Sequence, residues 1–120
     1  MANILIVDDE KSICELLEIT FRKDGHRVEI ATSGELGRRR IESKLFDIII
    51  SDVSMPIMTG PEMLKEAGAE MIGAAKVLFL SGYAPESFSS MLEEYPVHYM
   101  SKPVTMEQLV GRVKELLAAA

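Results

Sequence analysis

The chain has 120 residues, 48% hydrophobic and 27% charged, with a net charge of −6. That length fits a single domain spanning residues 1–120 with a real core, and the composition is that of an ordinary globular protein. The acidic balance argues against direct nucleic-acid binding by the domain as a whole, because phosphate neutralisation needs clustered Lys and Arg.

Asn3 to Val7, NILIV, is a short apolar run that ends abruptly in Asp8, Asp9 and Glu10. It reads as a buried strand entering an acidic turn. Ser12 and Glu15 have capping-box spacing, and Ile13, Leu16, Leu17 and Phe21 then recur at helical intervals up to Asp24-Gly25. Cys14, the lone cysteine, excludes an internal disulfide and reads as buried packing in this helix. Val28 and Ile30 alternate with Arg27 and Glu29, the pattern of a half-exposed edge strand.

Ser33 can cap a second helix running to about Lys44, with a thin apolar stripe of Leu36, Ile41 and Leu45 weakened by Gly34 and Gly37. Arg38, Arg39 and Arg40 make its basic run, read as a solvated face. Ile48 to Ser51 follow Asp47 as a strand suited to burial on both faces, ending in Asp52. Pro61 opens a third helix with Met63, Leu64, Ala67 and Met71 on one side. Lys76 to Leu80 is a fourth strand, ending in Ser81-Gly82. Pro85 opens a short, serine-rich fourth helix anchored by Phe88, Met91 and Leu92. Val97 to Met100 is a fifth strand, ending in Ser101-Lys102-Pro103. Thr105 and Gln108 form another capping box ahead of Leu109, Val113, Leu116 and Leu117. His26 and His98 read as structural, and the eight methionines as core filler, with Met55 closest to the acids.

Five strands alternating with five helices over short connections predict a doubly wound α/β domain with a parallel sheet. Ligands in such sheets bind beyond the carboxyl ends of the strands. Those ends here carry Asp8-Asp9, Asp52, Ser81 and Lys102. Three neighbouring carboxylates need a cation to ionise fully, and oxygen ligands without Cys or His favour Mg²⁺. Carboxylate, Mg²⁺, Lys and hydroxyl together suit a phosphoryl group, and a carboxylate can itself be the nucleophile, giving an aspartyl phosphate.

The segments ILIVDDE, IIISDVSMPIMTG, VLFLSGY and HYMSKP, in this order and spacing, resemble the receiver (REC) domain of two-component response regulators over essentially the whole chain. The resemblance implies a flavodoxin-like sheet of strand order 2-1-3-4-5. It implies that Asp52 accepts a phosphoryl group from a histidine kinase or phosphotransfer protein of a phosphorelay. Asp9, Asp52 and the backbone carbonyl of Ser54 would hold Mg²⁺ directly, and Asp8 through water. Lys102 would pair with Asp52 and the phosphoryl oxygens across a cis Lys102-Pro103 peptide. Ser81 would bond the phosphoryl group, with Tyr99 as the aromatic switch residue. Ser54 and Tyr83 would flank the phosphoryl group, and bulky Tyr83 is expected to slow hydrolysis.

The responsive surface, and a possible homodimer contact, would be the fourth helix, fifth strand and fifth helix. The downstream partner would be another protein or a covalently attached domain, and the Ser81-Gly82-Tyr83 sequence is common in hybrid-kinase receivers. The chain would be a signalling module that catalyses only its own phosphotransfer and dephosphorylation, not a turnover enzyme. Two other readings are a phosphorylation-independent binding module and a Mg²⁺-dependent phosphatase or phosphotransferase. The phosphatases related by chemistry place two acids two residues apart after the first strand, whereas Asp8 and Asp9 are adjacent. No segment approaches the ~18 apolar residues of a membrane span, and the N-terminus lacks a signal-peptide pattern. A cytoplasmic location is therefore expected, with no membrane partner.

Overall fold

The apolar runs become strands where the sequence places them. The computed structural model describes residues 1–82 and 97–119. In it β1 (Asn3–Val7), β2 (Arg27–Ala31), β3 (Ile48–Asp52), β4 (Lys76–Ser81) and β5 (Val97–Ser101) form one sheet. Every pairing is parallel, and the strand order is β2-β1-β3-β4-β5, as expected. The helices among the described residues are α1 (Lys11–Lys23), α2 (Gly34–Ser43), α3 (Gly60–Ala67), a single turn α4 (Ala69–Ile72), and α5 (Met106–Ala118). The helix expected from Pro85, and Tyr83 before it, lie outside the described residues.

Successive side chains of a strand point to opposite faces, so an unbroken apolar run serves two cores at once. Leu5, Val7, Ile49, Val77 and Phe79 face α2 and α3, packing with Ile41, Met63 and Leu64. Ile4, Ile6, Ile48, Ile50, Leu78 and Leu80 face α1 and α5, packing with Cys14, Leu17, Phe21, Leu109, Val113 and Leu116. β3 is buried along its whole length, Asp52 included, because it has a neighbour on each side and a helix layer over each face.

Several local expectations are corrected. The cap of α1 is Glu10, not Ser12, and no side chain bonds into it. Cys14, Leu17 and Phe21 are its buried residues, while Ile13 and Leu16 face outward. In α2 the expected stripe is reduced to Ile41, with Leu36 and Leu45 exposed. Gly34 and Gly37 are buried at the contact itself: a Cβ on Gly34 would lie 2.6 Å from the Met58 carbonyl oxygen, and one on Gly37 would overlap Met63. They permit close approach of α2 to α3 instead of merely weakening the helix.

The third helix stops at Gly68, whose φ of +87° breaks it, so Met71 falls on the exposed side of the α4 turn and Ile72 is buried instead. A capping box joins Thr59 to Glu62 at its start. The box at Thr105 and Gln108 forms as expected. Arg38 and Arg39 pair with Glu35 of the same helix, and Glu29 on β2 takes Lys44 at 2.7 Å and Arg40 at 3.7 Å. His26 accepts the Ala2 N–H through Nδ1 at 3.1 Å, and Met55 is buried in the core, both structural roles.

Candidate functional site at the carboxyl edge of the sheet

Parallel strands that all point one way deliver their C-terminal residues to one edge. β1 ends at Val7, and Asp8 and Asp9 follow; β3 ends in Asp52 and β4 in Ser81. One carboxylate oxygen from each of Asp8, Asp9 and Asp52 lies within 4.8 Å of the other two. Asp8 and Asp52 are buried at 4% and 6% exposure, and Asp9 is open to solvent. Lys102, just past β5, places Nζ 3.3 Å from Asp52 Oδ1. The main-chain N–H of Lys102 donates to the Ser81 carbonyl at 2.8 Å, and the peptide to Pro103 is cis. Tyr99 Oη donates to the same Ser81 carbonyl at 3.2 Å, and the Tyr99 ring packs against the α2–α3 core. Ser81 itself is 1% exposed.

Burial raises the pKa of the Asp8 carboxyl, because a charged carboxylate loses hydration there. The Glu10 N–H, which donates to Asp8 Oδ1 at 2.9 Å, works against that rise, and the nearby Asp52 charge adds to it. Cys14 Sγ donates to the Asp8 carbonyl at 3.2 Å, and burial followed by the Asp8 charge pushes its thiol up to about 11. That thiol stays protonated and acts as packing.

The loop after β3 is tightly turned. Met58 N–H donates to the Pro56 carbonyl at 2.7 Å around Ile57, whose φ is +70° and whose side chain is fully exposed. This is a γ-turn of the rare, strained positive-φ kind, here at a β-branched residue.

An acidic triad with one lysine, set at strand ends of this sheet order, narrows the field, and comparison with known proteins decides it. The family described as "response regulator receiver domain" matches residues 4–114. The chain belongs to that family. The receiver is 32% identical over 117 residues to the transcriptional regulatory protein ZraR of Escherichia coli K12, covering 97% of this chain and 26% of ZraR. It is 33% identical over 119 residues to the sensor kinase CckA of Brucella abortus, covering 97% of this chain and 12% of that kinase. Among solved structures, the chemotaxis response regulator CheY4 of Vibrio cholerae matches with a TM-score of 0.86 at 30% identity, covering 97% of this chain and 98% of that one. The receiver thus spans about a quarter of the length of ZraR.

Of the residues singled out by sequence, the receiver brings Asp8, Asp9, Asp52 and Lys102 into one cluster, with Ser81 and Tyr99 joined beside it through one carbonyl. Ser54 lies exposed two residues beyond Asp52, and Tyr83 is outside the described residues. Two residues carry more than their sequence shows. Ser51 Oγ donates to the Asp52 carbonyl at 2.8 Å, and Gly60 leaves that carbonyl room. A serine closing an isoleucine run was the available signal for the first. The second, Gly60, closes the IIISDVSMPIMTG segment and carries no further signal in the sequence. No helix among the described residues is long and apolar enough to cross a membrane.

Proposed function

We propose that the receiver is a phosphoacceptor signalling domain in which Asp52 takes a phosphoryl group from a histidine kinase or phosphotransfer protein. The observation that carries this is the convergence of three carboxylates within 4.8 Å with Lys102 Nζ at 3.3 Å from Asp52. All the donors in the cluster are carboxylate oxygens, which suits a hard cation, and the open position of Asp9 leaves room for bound water. Asp9, Asp52 and the Ser54 carbonyl would hold Mg²⁺, with Asp8 acting through water. Bound there, Mg²⁺ supplies positive charge against the incoming phosphoryl oxygens.

The remaining work falls to the chain's own residues. An Asp52 oxygen attacks phosphorus while the donor's P–N bond breaks and its electron pair returns to the imidazole. Lys102, already paired with Asp52, is placed to pair with the transferred oxygens, and Ser81 to donate its hydroxyl to them. The added phosphate brings nearly two negative charges and draws Ser81 toward it. Because Ser81 shares its carbonyl with Tyr99 Oη and Lys102 N–H, its movement would be passed to β5. The output would be a changed protein-binding surface built on β5, α5 and the segment before β5, not a released product. Such a module would work in the cytoplasm and deliver its signal to another protein or an attached domain.

Intact mass after incubation with Mg²⁺ and acetyl phosphate tests the proposal. The expected result is a Mg²⁺-dependent gain of one phosphoryl group in the wild type and none in Asp52→Asn. Equal labelling of Asp52→Asn would move the acceptor elsewhere. Failure of the wild type with acetyl phosphate and with a panel of phosphorylated kinases would overturn phosphoacceptance and favour the phosphorylation-independent module.

A further inference from the structure

We propose that Ser51 is a positioning residue for the reaction at Asp52: its hydroxyl fixes the main chain that sets the spacing between the Asp52 carboxylate and the Ser54 carbonyl. The inference rests on the phosphoacceptor reading above. Ser51 is 0% exposed, between Val7 of β1 and Phe79 of β4 in register, where a small apolar residue would pack without needing a partner. A buried hydroxyl is costly unless it is bonded. Here the bond is spent on one group, the main-chain carbonyl of Asp52, at 2.8 Å.

The groups that follow are pinned as well. Val53 N–H donates to the Leu80 carbonyl at 3.1 Å, and Gly60 N–H donates to the Val53 carbonyl at 2.9 Å. Gly60 lies against this same bond, since a Cβ there would stand 2.5 Å from the Asp52 carbonyl oxygen and 3.0 Å from Ser51 Oγ. Three successive main-chain groups, from the Asp52 carbonyl to the Val53 carbonyl, therefore each have a partner. The two oxygens assigned to Mg²⁺ from this segment sit at either end of that fixed stretch. Removing the Ser51 hydroxyl leaves the Asp52–Val53 peptide held only through the Val53 N–H, so the plane can tilt about that one bond and shift the chain on either side of it.

The test compares wild type, Ser51→Ala, Ser51→Thr and Gly60→Ala, with Val113→Ala in the distant α5 core as a control for lost stability alone. Calorimetry gives the Mg²⁺ Kd, mass spectrometry the acetyl phosphate labelling rate at saturating Mg²⁺, and thermal melts the stability. Ser51→Ala is expected to weaken Mg²⁺ binding and slow labelling by about tenfold each, the lower end of what losing a group that orients a metal ligand costs. Ser51→Thr keeps the hydroxyl and should restore both. Gly60→Ala, whose Cβ would press on both the Asp52 carbonyl oxygen and Ser51 Oγ, should show the same deficit as Ser51→Ala. Val113→Ala should melt earlier with its Mg²⁺ Kd unmoved. A Ser51→Ala protein that matches wild type in Mg²⁺ Kd and labelling rate overturns the inference while leaving Asp52 as acceptor. So does a Val113→Ala protein with the same deficits. A wild type that neither binds Mg²⁺ nor accepts a phosphoryl group removes the underlying reading instead.

Discussion

His98 on β5 has Arg112 of α5 3.4 Å from its Nδ1, an arrangement that suits a neutral ring accepting a hydrogen bond. Burial lowers its pKa below the ordinary 6.5, and the charges of Arg112 and then Lys76 lower it further. Below that ordinary value the unfolded chain binds a proton at this site that the folded chain resists, so the unfolded state holds more protons and stability falls as pH falls. Thermal melts between about pH 7.5 and 5.5 should show wild type losing stability faster than His98→Gln, with a difference of at most ~1.4 kcal/mol per pH unit. Equal pH slopes would show that the ring titrates alike in both states. At this scale the site was readable because an acid directly after an apolar strand is conspicuous: Asp8, Asp9 and Asp52 stand out on cost alone. Ser51 was not readable in the same way. A hydroxyl's partner depends on which carbonyl lies beside it once the strand is buried, and nothing in the letter pattern carries that.

α2 shows how an element can be weak in sequence and firmly seated in the fold. Its glycines lower its helix propensity, yet each is where another element touches it. Gly34→Ala would gain at most ~1 kcal/mol of helix propensity and would set a Cβ 2.6 Å from the Met58 main-chain oxygen, an overlap that typically costs about 1–3 kcal/mol. The expected net result is a lower urea midpoint; a raised midpoint would mean that the Met58 loop yields freely.

Capping signals divide for a similar reason. Thr105 and Gln108 form their box, and Thr59 and Glu62 form one that Pro61 obscured as a start signal. Ser12 and Glu15 share the spacing without forming one, because α1 already begins at Lys11 while Asp8 accepts the Glu10 N–H. Spacing states that a cap is possible; the incoming loop decides where the helix begins. Met71 was misplaced because the positive φ at Gly68 resets the helical phase.

For the molecule as a whole, the parallel sheet was legible in buried runs alternating with helical stretches. Its strand order followed from the family resemblance, because the run pattern does not say which strands are neighbours. Concentrating the acids at the strand ends has an energetic cost. Mutual repulsion among three carboxylates at this separation is worth about 1 kcal/mol per pair even in a water-like dielectric. Asp9 takes part in two of the three pairs, so Asp9→Asn should stabilise the Mg²⁺-free protein by about 1–2 kcal/mol. Mg²⁺ at a hundredfold excess over Kd should stabilise wild type by about 2.7 kcal/mol, reversed by EDTA, with little gain in Asp9→Asn. Melts of both proteins with and without Mg²⁺ check both signs; a destabilised Mg²⁺-free variant would show that Asp9 is held by contacts that outweigh the repulsion.

The contact between Cys14 and Asp8 makes that linkage visible in time as well as in temperature. The chain has a single thiol, fully buried, protonated and seated on the backbone of one of the clustered acids. An alkylating reagent can reach it only when α1 lifts from β1, so at reagent levels where alkylation outpaces reclosing the rate of modification counts those openings. An ion that holds the acids together would slow the count. The protein thus carries a native clock, needing no introduced label, for how often its signalling edge comes apart.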